Sequence, residues 1–152
     1  FAFDLGYQPA DGVERMRVGT PPVLAMAALE ASLDIWDRVD MGEVRARSLA
    51  LGDLLIAEIA RRCPSLRLVT PPAHAQRGSQ VSFAFAGGYA AMQALIARGV
   101  IGDFRAPDIM RFGITPLYIG EAEVLKAAEI IEEVINGEVW RRQEYQVVNA
   151  VT

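Results

Sequence analysis

The stretch VIGDFRAPDIMRFGITPLY, residues 100–118, decides how this chain is interpreted. It contains two apolar runs of strand length, residues 100–104 and 109–114, with an Ala-Pro-Asp breaker between them. The pattern predicts a β-hairpin with a connection of roughly three to four residues. The second run carries Arg111 among apolar neighbours, which makes the hairpin a candidate binding site as well as a piece of scaffold.

Arg111 needs an acceptor, because an unpaired guanidinium is very costly to bury in an apolar strand. Side chains alternate along a strand, so Arg111 shares a face with Ile109 and Gly113, and either face of the strand can be the buried one. The acceptor is a carboxylate of the protein, Asp103 or Asp108 across the turn, or else a carboxylate of a ligand.

The composition excludes several classes of function. The chain has 152 residues, 52% of them apolar, and a net charge of -4 with no run of basic residues. It can bury a real core, and its acidic balance argues against nucleic acid and anionic membrane as partners. No apolar run approaches the roughly 18 residues of a membrane span, so we expect a cytoplasmic protein. One cysteine and one histidine predict neither a disulfide framework nor a metal site.

A second informative stretch is Gly19-Thr20-Pro21-Pro22, which predicts the start of a helix with the Thr20 hydroxyl as its cap. Backbone N–H groups and the helix dipole at such a start also favour a phosphate, so Gly19 and Thr20 are candidate anion ligands; a plain cap is the alternative. Apolar periodicity predicts this helix to about residue 38 and a second helix over about 40–62.

Beyond Pro64 the period changes from helical to extended. We expect strands over residues 66–70 and 79–86, a helix that Gly99 closes, then the hairpin, and a helix over about 121–135. Four strands and two helices predict a small antiparallel or mixed sheet with helices on one face. The predicted fold is therefore α+β, with a helical N-terminal segment and a boundary near Leu66.

The other reactive or charged side chains have plain structural interpretations. His74 lies in a loop without a partner at triad-like spacing and is interpreted as solvated. Cys63, at a helix end, is interpreted as a packed thiol, and Arg105, beside the hairpin turn, as a structural partner. The acidic side of the last helix is expected to be a solvated face; it carries Glu121, Glu129, Glu132 and Glu133.

Together these residues resemble the C-terminal part of the kynureninases, which are pyridoxal-phosphate enzymes of aminotransferase class V with the aspartate-aminotransferase fold. The resemblance covers nearly the whole chain, and its motifs occur in order: Gly19-Thr-Pro-Pro22, Arg45-Ala-Arg-Ser48, Arg77-Gly-Ser-Gln80, Gly102-Asp-Phe-Arg-Ala-Pro107, Arg111-Phe-Gly113 and Pro116-Leu-Tyr118. It implies that residues 1–65 end the large domain and connect it to a small C-terminal domain, residues 66–152, of a longer protein.

The resemblance also implies roles for particular residues. Arg111 would hold the α-carboxylate of L-kynurenine or a related amino acid, while Gly19 and Thr20 would contact the cofactor phosphate of the neighbouring subunit in a homodimer. The complete protein would hydrolyse L-kynurenine to anthranilate and L-alanine with pyridoxal 5'-phosphate. The Schiff-base lysine would lie upstream of this chain. Lys126, the only lysine present, lies on the last helix, so the chain alone is expected to be inactive.

Two alternatives stay open at this point. Another class V pyridoxal-phosphate enzyme, of aminotransferase or desulfurase type, would also use a C-terminal arginine for the carboxylate. A non-catalytic domain that binds a ligand or a partner is the alternative from a different class. The absence of a usable lysine favours this second alternative for the isolated chain.

Overall fold

The computed structural model describes residues 5–17 and 19–147. The chain divides into two compact units, Phe1–Asp40 and Met41–Thr152. Within the described residues, no helix has the length and apolar character needed to cross a membrane.

The first unit contains a short 3-10 helix, Gly12–Met16, and helix α1, Val23–Trp36. The helix is confirmed, but its predicted cap is wrong: Pro22 occupies the N-cap position, and no side chain caps the helix. The reason is the double proline, because a residue that precedes proline is disfavoured in helical conformation. Thr20 is therefore held outside the first turn. The α1 helix also ends two residues earlier than predicted.

The second unit begins with helix α2, Met41–Arg62, and continues with a four-stranded sheet and three further helices. The strands are β1 (Arg67–Leu68), β2 (Gln80–Ala84), β3 (Asp103–Arg105) and β4 (Ile109–Gly113); the helices are α3 (Gly88–Ile96), α4 (Glu121–Asn136) and α5 (Gln143–Gln146), with 3-10 helices at His74–Gln76 and Val139–Arg141. The strand order is β1-β2-β4-β3, and all neighbouring strands are antiparallel. The predicted α+β fold is confirmed.

One face of the sheet forms the core with α2, α3 and α4. Phe83, Met110 and Phe112 point into this core and are at most 6% exposed, beside Leu55 and Ile59 of α2. The α2 helix thus belongs to the same compact unit as the sheet. The division between residues 65 and 66 concerns the domains of a longer protein and stays a prediction.

The predicted hairpin is confirmed as β3 and β4, joined by residues 106–108 with a cis Ala106–Pro107 bond. Its first strand starts later than the predicted residue 100, because the chain before it completes α3. Gly99 adopts a positive φ of 84°, and the Val100 N–H donates to Leu95 O at 3.0 Å. This left-handed glycine cap leaves strand pairing to begin only at Asp103.

The strand predicted over residues 66–70 is also shorter than expected. Beyond Leu68 the regular pairing with β2 is altered: the Ser82 N–H donates to the Thr70 hydroxyl at 2.8 Å instead of to a backbone carbonyl, while the Ser82 carbonyl still accepts from the Val69 N–H at 2.9 Å. After α4, the short helices pack against α3, and Trp140 meets Phe85 edge-on, with ring centroids 5.3 Å apart. Apolar residues in this segment show little periodicity, so these short helices were not predicted.

Candidate functional site

Arg111 lies in the middle of β4, on the face of the sheet opposite the core, which we call the polar face. Its cross-strand partner is Asp103. The two carboxylate oxygens of Asp103 accept hydrogen bonds from Nε and Nη2 of Arg111, each at 2.5 Å. The structure therefore supplies one of the acceptors that the sequence left open. Both side chains border solvent, with 28% of Arg111 and 49% of Asp103 exposed.

This ion pair favours the charged form of both groups. The hydrogen bond from Arg111 holds the pKa of Asp103 below its usual value, against an opposing effect of partial burial. The same bond raises the pKa of Arg111. Arg105 Nη2 lies 3.6 Å from Asp103 Oδ2, in line with a structural role. Two guanidinium groups share one carboxylate, so the cluster keeps an excess of positive charge.

One edge of the Arg111 guanidinium remains available for a ligand. Asp103 takes the N–H of Nε and one N–H of Nη2, whereas Nη1 has no hydrogen-bond partner among residues 5–17 and 19–147. A guanidinium carries five N–H donors, so the edge formed by Nη1 and Nη2 can pair with a second carboxylate. The guanidinium is thus held by Asp103 on one edge and is free of hydrogen bonds from the described residues at Nη1.

A polar cavity of about 300 Å³ adjoins the strand next to Arg111. Its lining includes Ser82, the partner of Arg111 across β2 and β4. Gln80 Nε2 donates to Ser82 Oγ at 3.0 Å, and the residue 69–78 segment supplies the other wall. A larger cavity of about 410 Å³ between β4 and α4 is mainly apolar, and Arg111 does not line it. Arg111 lines neither of these two cavities, and the smaller one is linked to it through its cross-strand partner Ser82.

Gly19 and Thr20 belong to the first unit, separate from Arg111. Both are exposed, and a Cβ placed on Gly19 would meet nothing within 4 Å. The Thr20 hydroxyl does not cap α1. Of the nearby arginines, Arg15 donates to a backbone carbonyl and Arg17 pairs with a glutamate. Gly19 and Thr20 are therefore accessible from solvent.

Comparison with known proteins now identifies the family. A model of the family described as Kynureninase C-terminal domain matches residues 44–131. The chain belongs to this family. A kynureninase from Pseudomonas fluorescens is 47% identical over 154 residues, and kynureninases from Burkholderia mallei (strain SAVP1) and Burkholderia pseudomallei (strain 1106a) are 46% identical over the same length. Each alignment covers all of this chain and 37% of the relative.

The part that matches the Kynureninase C-terminal domain also contains a charged cluster that sequence reasoning missed. Arg77, whose side chain is only 2% exposed, donates to the Asp53 carboxylate and to Leu49 O. His74 is exposed, as expected, but its Nε2 also lies 2.8 Å from the other Asp53 oxygen, a partner that the sequence did not indicate. The Arg77 hydrogen bond first, and then that of His74, lower the pKa of Asp53.

Arg45 completes this cluster, because its Nη2 donates to the carbonyls of His74 and Arg77 at 2.7 and 2.8 Å. The cluster fastens the loop at residues 71–79 to α2, and the same loop walls the polar cavity. Its signal in the sequence was the pair of arginine-containing motifs that resemble kynureninases. That the two motifs lie together in space could not be predicted from the sequence, because it depends on how the loop folds back on α2.

The remaining candidates are structural in this kynureninase C-terminal domain. Cys63 is fully buried, and burial is the main cause that raises its thiol pKa to about 11, which confirms a packed thiol. Glu132 is not merely solvated: it accepts from Arg62 Nη1 at 2.5 Å and joins α4 to α2. Lys126 is exposed and pairs with Glu129 at 3.2 Å. In the described part of the chain, no group of three or more His, Cys, Asp or Glu residues could hold a metal ion.

Proposed function

We propose that this chain is the part of a pyridoxal-phosphate-dependent kynureninase that holds the carboxylate of the substrate. The complete protein would hydrolyse L-kynurenine, consuming one water, to anthranilate and L-alanine. The observation that carries the proposal is Arg111, which lies in the family-matched region on the polar face of the sheet and keeps its Nη1–Nη2 edge free. A free guanidinium edge suits a planar carboxylate.

The role of Arg111 in this proposal is to bind and orient. A bidentate pair between its free edge and the α-carboxylate would fix two atoms of the substrate and so restrict rotation about the bond to the α-carbon. The hydroxyl and amide groups of Ser82 and Gln80 lie beside this position. Positioning of this kind contributes to catalysis because the reacting bond is aligned before reaction begins.

The cofactor would supply the electron sink on which the substrate's bonds are broken. From this chain, Gly19 and Thr20 would contact its phosphate in the neighbouring subunit of a homodimer. Their exposure and the unused Thr20 hydroxyl support this assignment. The lysine that binds the cofactor would come from another part of the complete protein, since Lys126, the only lysine of this chain, lies on the exposed side of α4.

The experiment compares the complete protein with the isolated chain. The complete protein, loaded with pyridoxal phosphate, is expected to release fluorescent anthranilate from L-kynurenine. The isolated chain should release none, and adding the cofactor should give no absorbance band of a lysine-bound form. If the complete protein leaves L-kynurenine intact and turns over another amino acid, the class V alternative is correct. A lysine-bound spectrum with the isolated chain would contradict the proposed division of labour.

A further inference from the structure

We propose that Asp103 is a positioning residue, which holds the Arg111 guanidinium in the orientation that receives the substrate carboxylate. This inference rests on the proposed function of Arg111. Asp103 itself does not touch the substrate in this account; it acts through the arginine.

The contact geometry makes Asp103 and a substrate carboxylate compatible. Asp103 engages the edge formed by Nε and Nη2 of Arg111 with two bonds of 2.5 Å. A second carboxylate can approach the adjacent edge, formed by Nη1 and Nη2, in the same plane. An acid that engaged Nη1 instead would block that edge. Asp103 thus restrains the long arginine side chain before the substrate arrives and leaves the binding edge open.

The charges of the cluster support the same conclusion. One carboxylate beside one guanidinium would cancel much of the attraction for an anionic ligand. Here Asp103 also lies 3.6 Å from Arg105 Nη2, so two positive groups share one negative group. The polar face at Arg111 therefore keeps an excess of positive charge even with Asp103 ionised.

The backbone fixes where Asp103 sits. A Cβ at the preceding residue, Gly102, would lie 2.6 Å from Arg111 O and 2.8 Å from Met92 Cε. The two strands therefore approach each other closely just before Asp103. This approach places the Asp103 carboxylate opposite Arg111 on the paired strand. Phe104, the residue after Asp103, packs against the core and so anchors the strand independently of the ion pair.

A purely structural ion pair is the competing explanation. Ion pairs that border solvent contribute little to folding stability, because water screens them and both side chains lose freedom. With about half of the Asp103 side chain exposed, stability alone gives little reason for a bidentate geometry at this position. Replacement of Asp103 is thus expected to leave the domain folded, so that the kinetics of the variant can be measured.

The test is a double-mutant cycle in the complete, cofactor-loaded enzyme, with Asp103→Asn, Arg111→Ala and the double variant. Asp103→Asn should raise the KM for L-kynurenine roughly tenfold, as expected for coupled neighbours, and change kcat by less than about threefold. In the Arg111→Ala background the same change should have no further effect. Binding of the amine that lacks the α-carboxylate, measured by inhibition, should be unaltered by Asp103→Asn.

Asp108→Asn is the matched control, since it makes the same chemical change on the same hairpin at a carboxylate that forms neither a hydrogen bond nor an ion pair with Arg111; its KM should match the wild type. If Asp103→Asn is not recovered folded, Asp103→Ala is measured in the same cycle.

The outcomes separate the two proposals. An unchanged or lowered KM in Asp103→Asn, or an equal effect of this change with and without Arg111→Ala, overturns the role of Asp103. The proposed function still stands in that case if Arg111→Ala is defective. If Arg111→Ala itself behaves as wild type, the proposed function fails, and the role of Asp103 fails with it.

Discussion

At the residue scale, the most informative side chains are arginines whose partners could not be read from sequence alone. Alternation along β4 correctly placed Arg111 opposite Met110 and Phe112. Which aspartate accepts from Arg111 depends on the register of the hairpin. That register pairs Asp103 with Arg111, and the sequence alone did not define it. The buried Arg77 was missed for a similar reason, since its partner Asp53 is 24 positions away on α2.

Asp53→Ala should destabilise the domain, because it leaves the buried Arg77 guanidinium without its carboxylate partner. The expected loss in the free energy of unfolding is about 2–3 kcal/mol, which is the cost of leaving the buried Arg77 charge without its carboxylate. Urea denaturation followed by circular dichroism measures it. Glu129→Ala, which removes an exposed acid paired with Lys126, is the control and should cost less than about 0.5 kcal/mol. Equal values for the two variants would contradict the importance of the cluster.

The pair of Asp53 and Arg77 also predicts how the stability of the domain changes with pH. The pKa of Asp53 is lower in the folded chain than its ordinary value of 3.8, so the contribution of this carboxylate to stability is present above that value and is lost as the pH falls below it. The wild type should therefore lose more stability than Asp53→Asn between neutral pH and about pH 3. Parallel pH profiles of the two proteins would argue against the assignment.

At the scale of secondary structure, periodicity predicted the helices and strands well, and their ends poorly. The helix ends shifted where local chemistry competed with periodicity: the double proline delayed α1, and the glycine cap of α3 consumed the start of the predicted strand. The hydroxyl of Thr70 shortened β1 in the same way. These are interactions of single residues with the backbone, and a pattern of apolar positions does not encode them.

Gly102→Ala should disturb the hairpin, because the new methyl group would lie 2.6 Å from Arg111 O. A backbone oxygen cannot move away cheaply, so we expect a loss of about 1–3 kcal/mol in the free energy of unfolding. Gly113→Ala is the matched control on the neighbouring strand, where an added Cβ meets nothing within 4 Å. Thermal melting of both variants provides the measurement. If the two melt together, the close approach of the strands is not as described.

At the scale of the whole molecule, the first unit exposes much apolar surface. Helix α1 is apolar nearly all round, and Leu24, Leu29 and Leu33 are each at least half exposed. A helix of this composition is normally covered by other protein. The chain spans 37% of the length of its curated relatives, and a domain separated from its larger partner would expose such a surface.

We therefore expect the isolated chain to associate in solution. Sizing chromatography should show species larger than a monomer, and the double variant Leu29→Glu with Leu33→Glu should shift them toward monomer. Ser32→Glu introduces one glutamate at a polar position of α1 and is the control for added charge, with an elution like that of the wild type. A wild-type chain that elutes as a clean monomer would show that this apolar surface does not drive association.

The central claim is that Arg111 binds the substrate carboxylate, and steady-state kinetics of Arg111→Ala in the complete enzyme test it most directly. The account predicts that kcat/KM for L-kynurenine falls about 100-fold or more, the usual cost of removing one partner of a close charge pair, mainly through a higher KM. Arg67→Ala, which removes an exposed arginine from β1, should stay within about threefold of wild type. If Arg111→Ala matches the wild type in both KM and kcat, Arg111 does not hold the substrate.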